Sequence, residues 1–342
     1  MIKCKSIFVS KHGRPDVLVL KKHFIREPQE KEVTIKVNMI GINFADLMGR
    51  MGLYPGAPTP PYIPGFEVSG SVEKVGSHKI ENMLGRKVVG LSKIGGAYST
   101  HINIPFDQLF QIKEKWYEFA AAIPVNYLTA YFMLIHQSGL RKNEWVLIHG
   151  AGGGVGIASI QIAKIIGAKI IGTSSAWKHE KLKKIGVDYL IDYNNQNFED
   201  EVLEITSGRG VDVAIDSLGG KALAQSYSSL SEFGRLVSYG FSRAAFGNKK
   251  NYLKILPEYF STPRFNPSNL MMENRGVFGF HLGYLSRRHD LVKEYGNLIM
   301  DWLNAGKISP IIDSTFNLKD AAHAHHYISS RKNFGKVLLS NK

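Results

Sequence analysis

The sequence is poor in cysteine, since its 342 residues contain a single one, Cys4. One thiol cannot form an intramolecular disulfide or a zinc site built from several thiolates, and this composition is typical of a reducing compartment. The first residues, Met1 to Ser6, also lack the long apolar run of a secretory signal. We therefore expect a cytoplasmic protein in which Cys4 is a small buried hydrophobic residue.

Acidic residues are also scarce, because 29 Asp and Glu face 43 Lys and Arg, which gives a formal net charge of +14. Such an excess suits nucleic acid, an anionic membrane or a polyanionic small ligand, and the net charge alone does not choose among them. The basic residues are dispersed and no nucleic-acid-binding module is recognised, so nucleic acid ranks last. The hydrophobic fraction of 44% is that of a folded chain, and the length predicts two domains.

Long regular segments are missing from the first third of the chain. Residues 31–37 alternate polar and apolar side chains in the manner of a half-buried strand, and residues 68–75 and 87–91 are similar. Residues 54–65 contain five of the 13 prolines, which predicts a rigid loop. We expect antiparallel β-structure with irregular loops up to about residue 120.

Strands alternate with helices from about Phe119 onward. Continuous apolar strands separated by helices are typical of a buried parallel sheet, so the predicted fold class is α/β with a doubly wound parallel sheet. An irregular stretch with several prolines follows Gly240. The predicted strands are 145–149, 169–173, 189–191, 211–215, 234–239, 276–280 and 335–339. The predicted helices are 119–138, 157–166, 177–185, 198–206, 221–230, 290–304 and 318–329.

A glycine-rich segment, His149-Gly-Ala-Gly-Gly-Gly-Val-Gly156, stands between a predicted strand and a predicted helix. In the register of the dinucleotide-binding pattern it has Ala151 in place of the first glycine, followed by Gly153 and Gly156. Small residues allow the tight turn, the approach of a pyrophosphate to the helix N-terminus and close packing of helix and strand. This context predicts a dinucleotide site, although a glycine turn without a ligand has the same sequence.

The end of the second strand of this unit distinguishes the two nicotinamide cofactors. NAD-binding chains place an acidic residue there that accepts hydrogen bonds from the ribose. In this chain, the stretch between Thr173 at the end of the strand and Glu180 contains no carboxylate. Ser174 and Lys178 can instead donate to a 2′-phosphate. The segment therefore predicts NADPH, although Lys178 is also compatible with a solvated lysine at a helix start.

Zinc ligands are missing around the proline-rich loop, which offers Asn43, Asp46 and Glu67 but neither cysteine nor histidine. This argues against a catalytic zinc. His323 and His326 lie three residues apart on a predicted helix, with His325 beside them. A metal site there is conceivable, but solvated or core histidines are the preferred interpretation.

Several separated motifs, in order along nearly the whole chain, resemble those of a known family. The chain is similar to the zinc-free quinone oxidoreductase branch of the medium-chain dehydrogenase/reductase superfamily, and more narrowly to its vesicle amine transport protein subgroup. The motifs that carry this resemblance are residues 41–55, 64–67, 151–156, 216–219, 275–284 and 332–339.

The resemblance implies a GroES-like β-rich catalytic domain interrupted by a Rossmann domain. The implied division is residues 1–122 for the first part of the catalytic domain, 123–265 for the NADP-binding Rossmann domain, and 266–342 for a C-terminal segment that returns to the catalytic domain. The resemblance also implies a homodimer formed by edge pairing of the Rossmann sheets.

The resemblance further implies two residues that face the substrate, Asn43 and Tyr54, as candidates for donating a hydrogen bond or proton to the reduced acceptor. It also implies a larger set of cofactor-binding residues. These residues would contact the pyrophosphate, the adenosine phosphate end and the nicotinamide side of the cofactor, and some of them belong to the C-terminal segment that would close over it. Core packing is the alternative for Phe278 and Tyr239. The implied cofactor-binding residues are Thr129, Ala151, Gly152, Gly153, Gly154, Val155, Ser174, Lys178, Tyr193, Ser217, Tyr239, Gly240, Phe278, Phe280, Asn333 and Lys336.

Together these observations predict a zinc-independent, NADPH-dependent oxidoreductase that transfers hydride to a quinone or an α,β-unsaturated carbonyl compound. Hydride addition leaves negative charge on the acceptor oxygen, so the site needs a hydrogen-bond donor rather than a nucleophile. The alternative is a nucleotide-binding adaptor at membrane surfaces with little turnover, for which the positive charge favours contact with anionic lipid.

Overall fold

Two large β-sheets and one separate hairpin organise the chain. The computed structural model describes residues 1–92, 95–243, 247 and 251–342. The strands in these ranges are β1 (Ile2–Val9), β2 (Leu18–Ile25), β3 (Glu32–Gly41), β4 (Glu67–Val75), β5 (Lys87–Leu91), β6 (His101–Pro105), β7 (Leu109–Gln111), β8 (Trp145–Ile148), β9 (Lys169–Ser174), β10 (Tyr189–Asp192), β11 (Val211–Asp216), β12 (Leu230–Ser238), β13 (Gly276–Gly279), β14 (Ile312–Asn317) and β15 (Lys336–Ser340).

The helices surround these sheets and connect the parallel strands. None of the described helices is long and apolar enough to cross a lipid bilayer. The α-helices in the described ranges are α1 (Phe44–Met51), α2 (Pro124–Tyr131), α3 (Gly154–Ile166), α4 (His179–Lys184), α5 (Phe198–Ile205), α6 (Gly220–Ser228), α7 (Tyr252–Phe260), α8 (Pro267–Glu273), α9 (His289–Asn304) and α10 (Ala321–Ser329).

The second half of the chain forms a sheet whose neighbouring strands are all parallel, in the order β10-β9-β8-β11-β12-β13. Counted from β8, this is the doubly wound order 3-2-1-4-5-6, in which the direction of winding reverses between the first and fourth strands. Val146, Leu147 and Ile148 of β8 are completely buried, because helices cover both faces of the sheet. The predicted α/β fold class with a doubly wound parallel sheet is confirmed.

The first part of the chain and its last strands form a second, mixed sheet in the order β14-β15-β3-β4-β5-β7, with β6 paired to β3. The β15 strand runs antiparallel to β3, with Leu338 opposite Gly41, so the C-terminus of the chain completes the sheet that the N-terminal part begins. Ile35, Val68 and Leu339 are completely buried in its core. The β-rich character that the sequence predicts for this part is also confirmed.

One strand lies on the other side of the predicted domain division. The β13 strand pairs in parallel with β12, where Val237 is opposite Phe278. A boundary at residue 265 would place this strand in the segment that returns to the catalytic domain, whereas the strand pairs within the parallel sheet. A short strand after an irregular stretch carries no sign of which sheet edge it will join. The domain boundaries stay a prediction.

Two helices form where the sequence predicts an irregular stretch. Asn251 and Asn266 cap α7 and α8, since their side chains accept hydrogen bonds from the backbone N–H groups of Leu253 and Ser268. Pro267 occupies the first turn of α8, where a missing N–H group costs nothing. The asparagine caps were the sequence signal for both helices, and α8 also has proline at its first helical position.

Candidate active site

The glycine-rich turn follows β8 and lies at the point where the order of the parallel sheet reverses. A Cβ atom on Gly156 would stand 2.5 Å from the carbonyl oxygen of Gly150, and one on Gly154 would stand 2.6 Å from the amide of Asn126. Side chains are therefore excluded where helix and strand meet. The turn presents the N-terminus of the 13-residue helix α3, an arrangement that suits a phosphate group.

The C-terminal segment crosses this turn and joins the two sheets. The backbone N–H of Gly335 donates to the carbonyl oxygen of Gly152 at 2.9 Å. The Lys178 ammonium donates to the carbonyl oxygen of Asn333 at 2.7 Å. A Cβ atom on Gly152 would lie 2.6 Å from Cδ of Lys178, so the lysine lies directly against the turn. Burial lowers the pKa of Lys178 to about 8, which leaves it cationic at pH 7.

Three further hydroxyl groups lie near the ends of β9 and β10. Ser174 is buried at the end of β9, and the hydroxyl groups of Ser175 and Tyr193 share a hydrogen bond of 2.8 Å. Residues 174–179 contain no carboxylate. With Lys178, these groups form a donor-rich, cationic corner at the carboxyl edge of the parallel sheet.

A buried ion pair lies at the junction between the sheets. Nζ of Lys336 is 2.6 Å from Oε1 of Glu67, and the two side chains are 4% and 0% exposed. The ammonium also donates to Oδ1 of Asn43 at 2.7 Å, while Nδ2 of Asn43 donates to the same carboxylate oxygen of Glu67. The other oxygen of Glu67 accepts from the backbone N–H of Val125. Every charge in this cluster is compensated, as burial without water requires.

An open cavity of about 150 Å³ separates the proline-rich loop from the segment that follows β13. Its walls are mainly rings: Tyr54 lies 5.1 Å from His281 and 6.0 Å from Phe66, measured between ring centroids. Burial raises the pKa of Tyr54 to about 12, so its phenol is a neutral hydrogen-bond donor at pH 7. The cavity suits a flat, largely apolar ligand.

Asp46 lines the same cavity but is occupied by the backbone. Its carboxylate accepts from the N–H groups of Asn43 and Gly65 at 2.8 and 3.0 Å, which caps α1 and ties it to the proline-rich loop. Burial raises the pKa of Asp46 to about 7. Tyr98 donates to it from the far side at 3.4 Å, so Asp46 shapes the cavity wall.

A second buried network fixes the backbone beside the glycine turn. Oδ1 of Asp216 accepts from the N–H groups of Leu218 and Gly219 at 2.7 and 2.8 Å. Its other oxygen accepts from Ser226, whose hydroxyl also bonds His149 at 2.9 Å. Burial lowers the pKa of His149, so the ring is neutral. These bonds hold the loop after β11 next to the turn after β8.

The histidines of α10 are not arranged as metal ligands. Nδ1 of His325 accepts from Arg50 at 3.3 Å, and its Nε2 shares a hydrogen bond with Tyr98 at 3.0 Å. Within the described ranges there is no group of three or more His, Cys, Asp or Glu residues that could hold a metal ion. The preferred interpretation of His325 as a core histidine agrees with its complete burial.

Two family models match this chain. The alcohol dehydrogenase GroES-like domain matches residues 29–114, and the zinc-binding dehydrogenase family matches residues 154–300. The synaptic vesicle membrane protein VAT-1 homologs of Danio rerio and Rattus norvegicus are 39% and 38% identical, each over 91% of this chain. The chain spans 64% of the length of the Danio rerio protein and 77% of the Rattus norvegicus protein.

Solved structures agree with these relatives. The human synaptic vesicle membrane protein VAT-1 homolog-like protein has a TM-score of 0.85 and 30% identity, over 100% of this chain and 99% of that one. The Escherichia coli quinone oxidoreductase complexed with NADPH has a TM-score of 0.86 and 32% identity, over 98% and 99%. This chain belongs to the medium-chain dehydrogenase/reductase superfamily. Within it, the chain lies in the branch of quinone oxidoreductases and VAT-1 homologues.

The structure of this dehydrogenase/reductase brings part of the predicted cofactor set together. Ala151 and Thr129 are buried beside the turn. A Cβ atom on Gly240 would stand 2.8 Å from the carbonyl oxygen of Ser217, and burial raises the pKa of Tyr239, whose side chain bonds Ser217. The carboxyl ends of β11 and β12 therefore meet next to the turn, and the roles of these residues stay a prediction.

Four predicted residues contact the core or the buried ion pair in the structure. Phe280 stacks on Phe132 with a centroid distance of 5.6 Å and is 9% exposed, as part of the hydrophobic core. The side chain of Lys336 bonds Glu67 and Asn43 rather than extending over the glycine turn. The side-chain oxygen of Asn43 accepts from Lys336, and its Nδ2 donates to Glu67 and to the carbonyl oxygen of Gly41. Phe278 is partly buried against the same core as Phe280.

Other residues of the site were missed by sequence reasoning. His281 and Tyr284 line the cavity, and Asn126 packs against the glycine turn. The position of His281 directly after the last strand of the parallel sheet was an available signal, because ligands bind at the carboxyl ends of such strands. Glu67 carried no signal for its partner, since Lys336 is 269 residues away in sequence.

The ion pair at the junction makes a stability prediction. Lys336→Met leaves the Glu67 carboxylate buried without a cation, and we expect a loss of about 3–5 kcal/mol in the free energy of unfolding. The double variant Lys336→Met/Glu67→Gln should recover most of this loss, because neither charge then remains uncompensated. Urea unfolding followed by circular dichroism measures both.

The matched control is Lys74→Met, which breaks the exposed pair between Lys74 and Glu27, whose side chains are 44% and 52% exposed. That change should cost less than about 1 kcal/mol. Equal urea midpoints for Lys336→Met and Lys74→Met would show that the buried pair does not hold the junction together.

Proposed function

We propose that this chain is a zinc-independent, NADPH-dependent oxidoreductase that transfers hydride to a quinone or an α,β-unsaturated carbonyl compound. The observation that carries the proposal is the buried cation of Lys178 lying against a glycine turn, with no carboxylate at the end of β9. The Escherichia coli quinone oxidoreductase, whose fold this chain shares, was solved complexed with NADPH.

The residues at the turn fit such a cofactor. Gly152 to Val155 would hold the pyrophosphate, because a Cβ atom on Gly152 or Gly154 would fill the space next to Lys178 or Asn126. Lys178, with Ser174 and Tyr193, would hold the 2′-phosphate. Asn333 borders this corner through its carbonyl oxygen. When bound, NADPH supplies the hydride.

The residues around the cavity would orient the acceptor and stabilise the charge that develops on it. The acceptor gains a hydride at carbon, and its oxygen takes a proton from water. The neutral phenol of Tyr54 would donate a hydrogen bond to that oxygen as the negative charge develops. Tyr239, Thr129 and Phe278 would border the nicotinamide side.

Zinc independence is proposed on electrostatic grounds. Asn43 and Glu67, which flank the cavity loop in sequence, both bind the ammonium of Lys336. The Lys336 ammonium would repel a zinc ion at this position. It also already binds the Glu67 carboxylate, which a metal would need as a ligand.

The cofactor proposal predicts a measurable preference. Titration of intrinsic fluorescence should show tighter binding of NADPH than of NADH, and Lys178→Glu should weaken NADPH about 10–100-fold, as expected for loss of a charge-assisted hydrogen bond. Because the pKa of Lys178 is lowered to about 8, its cation is present at pH 7 and lost above pH 8. NADPH affinity should therefore fall as the pH rises through 8.

The control for this titration is Lys184→Glu, which makes the same charge change at an exposed position of α4. It should leave NADPH affinity within about twofold. Equal affinities for NADPH and NADH in the unaltered protein would refute the role given to Lys178.

The role of Tyr54 makes a separate prediction. Tyr54→Phe keeps the ring but removes the hydrogen-bond donor, and we expect kcat/KM for a quinone to fall about 100-fold. NADPH consumption, followed by its absorbance, measures this change. Tyr259→Phe, at a tyrosine that is 66% exposed on α7, should leave kcat/KM unchanged. An unchanged kcat/KM in Tyr54→Phe removes Tyr54 from the mechanism.

We also propose a homodimer that pairs β13 with its copy. The β13 strand is the last of the parallel sheet in the described ranges, and this edge is where a strand of a second copy would pair. The side chains of Met271 and Met272 on α8 are 70% and 78% exposed, and a second copy would cover apolar surface of this kind. Sedimentation equilibrium should give twice the chain mass of 38.1 kDa, and a single-chain mass would contradict the dimer.

The alternative function, contact with an anionic membrane by a cytoplasmic protein, is favoured by the β1–β2 hairpin. The first 26 residues contain seven Lys and Arg but one Asp. Lys5 lies directly opposite Lys22, and Lys3 opposite Phe24. These four side chains are exposed, and the three lysines make no ion pair with any described residue. Like charges directly opposite each other are unfavourable, unless an anionic surface neutralises them.

This alternative predicts salt-sensitive binding to vesicles. The triple variant Lys3→Glu/Lys5→Glu/Lys22→Glu should pellet about 100-fold less with phosphatidylserine-containing liposomes at low salt, because each lysine contributes about 1 kcal/mol at such a surface. The control Lys183→Glu/Lys184→Glu/Lys307→Glu has the same net charge. Equal pelleting of the two variants would mean that the hairpin is not the docking surface.

A further inference from the structure

His281 stands where the loops of the two sheets meet. It follows β13 and Phe280, at the carboxyl edge of the parallel sheet, where doubly wound sheets bind their ligands. Across the cavity from it lies the proline-rich loop, which enters the mixed sheet at β4. An acceptor that reaches this cavity would therefore face elements of both sheets.

The His281 ring is unusual among the side chains that line this cavity because of the hydrogen bonding of its nitrogens. Both of its nitrogens are shielded from solvent, and neither has a hydrogen-bond partner in any other described residue. The hydroxyl of Tyr62, which lines the same cavity, is also buried without a partner. Asp46, by contrast, has both carboxylate oxygens occupied. Buried polar groups are almost always satisfied in proteins, so two unsatisfied ones in one cavity indicate a ligand that supplies their partner.

The surroundings of His281 define what that ligand must be. Its ring lies 4.5 Å from the ring of Tyr284 and 5.1 Å from that of Tyr54, between centroids. Burial lowers the pKa of His281, so the imidazole is neutral at pH 7 and carries one N–H donor. A neutral donor among aromatic rings suits an uncharged, planar carbonyl compound better than a carboxylate or phosphate.

We propose that His281 contacts the substrate by donating a hydrogen bond from its ring N–H to a carbonyl oxygen of a planar quinone that packs against Tyr54 and Tyr284. This inference rests on the proposed function, for which it names the residue that selects a carbonyl-bearing acceptor. The contact exists with the oxidised acceptor already, so it contributes to binding as well as to turnover. His281 neither loses nor gains a proton in this role.

The test compares two flat ligands of similar size, 1,4-naphthoquinone and naphthalene, in equilibrium dialysis without cofactor. His281→Phe keeps a planar ring but removes the N–H group. It should raise the Kd for naphthoquinone about tenfold, the usual worth of one hydrogen bond, and leave the Kd for naphthalene within twofold. His281→Gln, which retains an N–H donor, should recover most of the naphthoquinone affinity.

Steady-state kinetics supply a second measurement. With naphthoquinone as acceptor, His281→Phe should raise KM about tenfold, while the Kd for NADPH stays within twofold of the unaltered protein. The matched control is His136→Phe, at an exposed histidine outside the cavity that bonds Tyr295. This control should change neither ligand affinity.

Each result bears on the proposal in one direction. Equal weakening of naphthoquinone and naphthalene in His281→Phe would mean that the ring only packs, and unchanged affinities would place His281 outside the site. If the unaltered protein binds naphthoquinone in this way but no acceptor consumes NADPH, the oxidoreductase proposal fails while the His281 contact stands. Absence of naphthoquinone binding by the unaltered protein would overturn the contact itself.

Discussion

The buried ion pair between Lys336 and Glu67 is the constraint on which the two halves of this chain depend. Lys336 is the first residue of β15 and Glu67 the first of β4, so their contact pins the C-terminal strand into the sheet that the N-terminal part begins. The preceding residue, Gly335, donates its N–H to the glycine turn of the other sheet. Gly335 and Lys336 thus connect the two sheets. Lys336 compensates the charge of Glu67 in the mixed sheet, and Gly335 donates to the carbonyl oxygen of Gly152 in the turn that follows β8.

This junction also explains why few charged groups are free at the cavity wall. Lys336 compensates Glu67, backbone N–H groups occupy Asp46, and Asn43 has no free polar atom. What remains at the cavity surface are rings and neutral donors, chiefly Tyr54 and His281. In a site of low dielectric, neutral donors stabilise developing negative charge without the desolvation cost of a full cation.

Much of this arrangement could be predicted because its determinants are local. The glycine turn needs small residues over seven positions, and the missing carboxylate after β9 is a property of a few neighbouring residues. The alternation of apolar strands and helices along the sequence is sufficient to predict a parallel sheet. The helices α7 and α8 were missed because prolines in that region were interpreted as breakers, although asparagine caps place Pro267 where a helix accepts it.

The sequence by itself determined the α/β class, the glycine-rich turn and the cationic corner around Lys178, since each depends on residues close together in the chain. Only the tertiary structure decided that Lys336 binds Glu67 and Asn43, that Phe280 belongs to the core, and that β13 extends the parallel sheet. The same holds for the cavity in which His281 meets Tyr54. These contacts join residues up to 293 positions apart, and a choice of partner over that distance is made by packing and charge compensation in the folded chain, which no local pattern records.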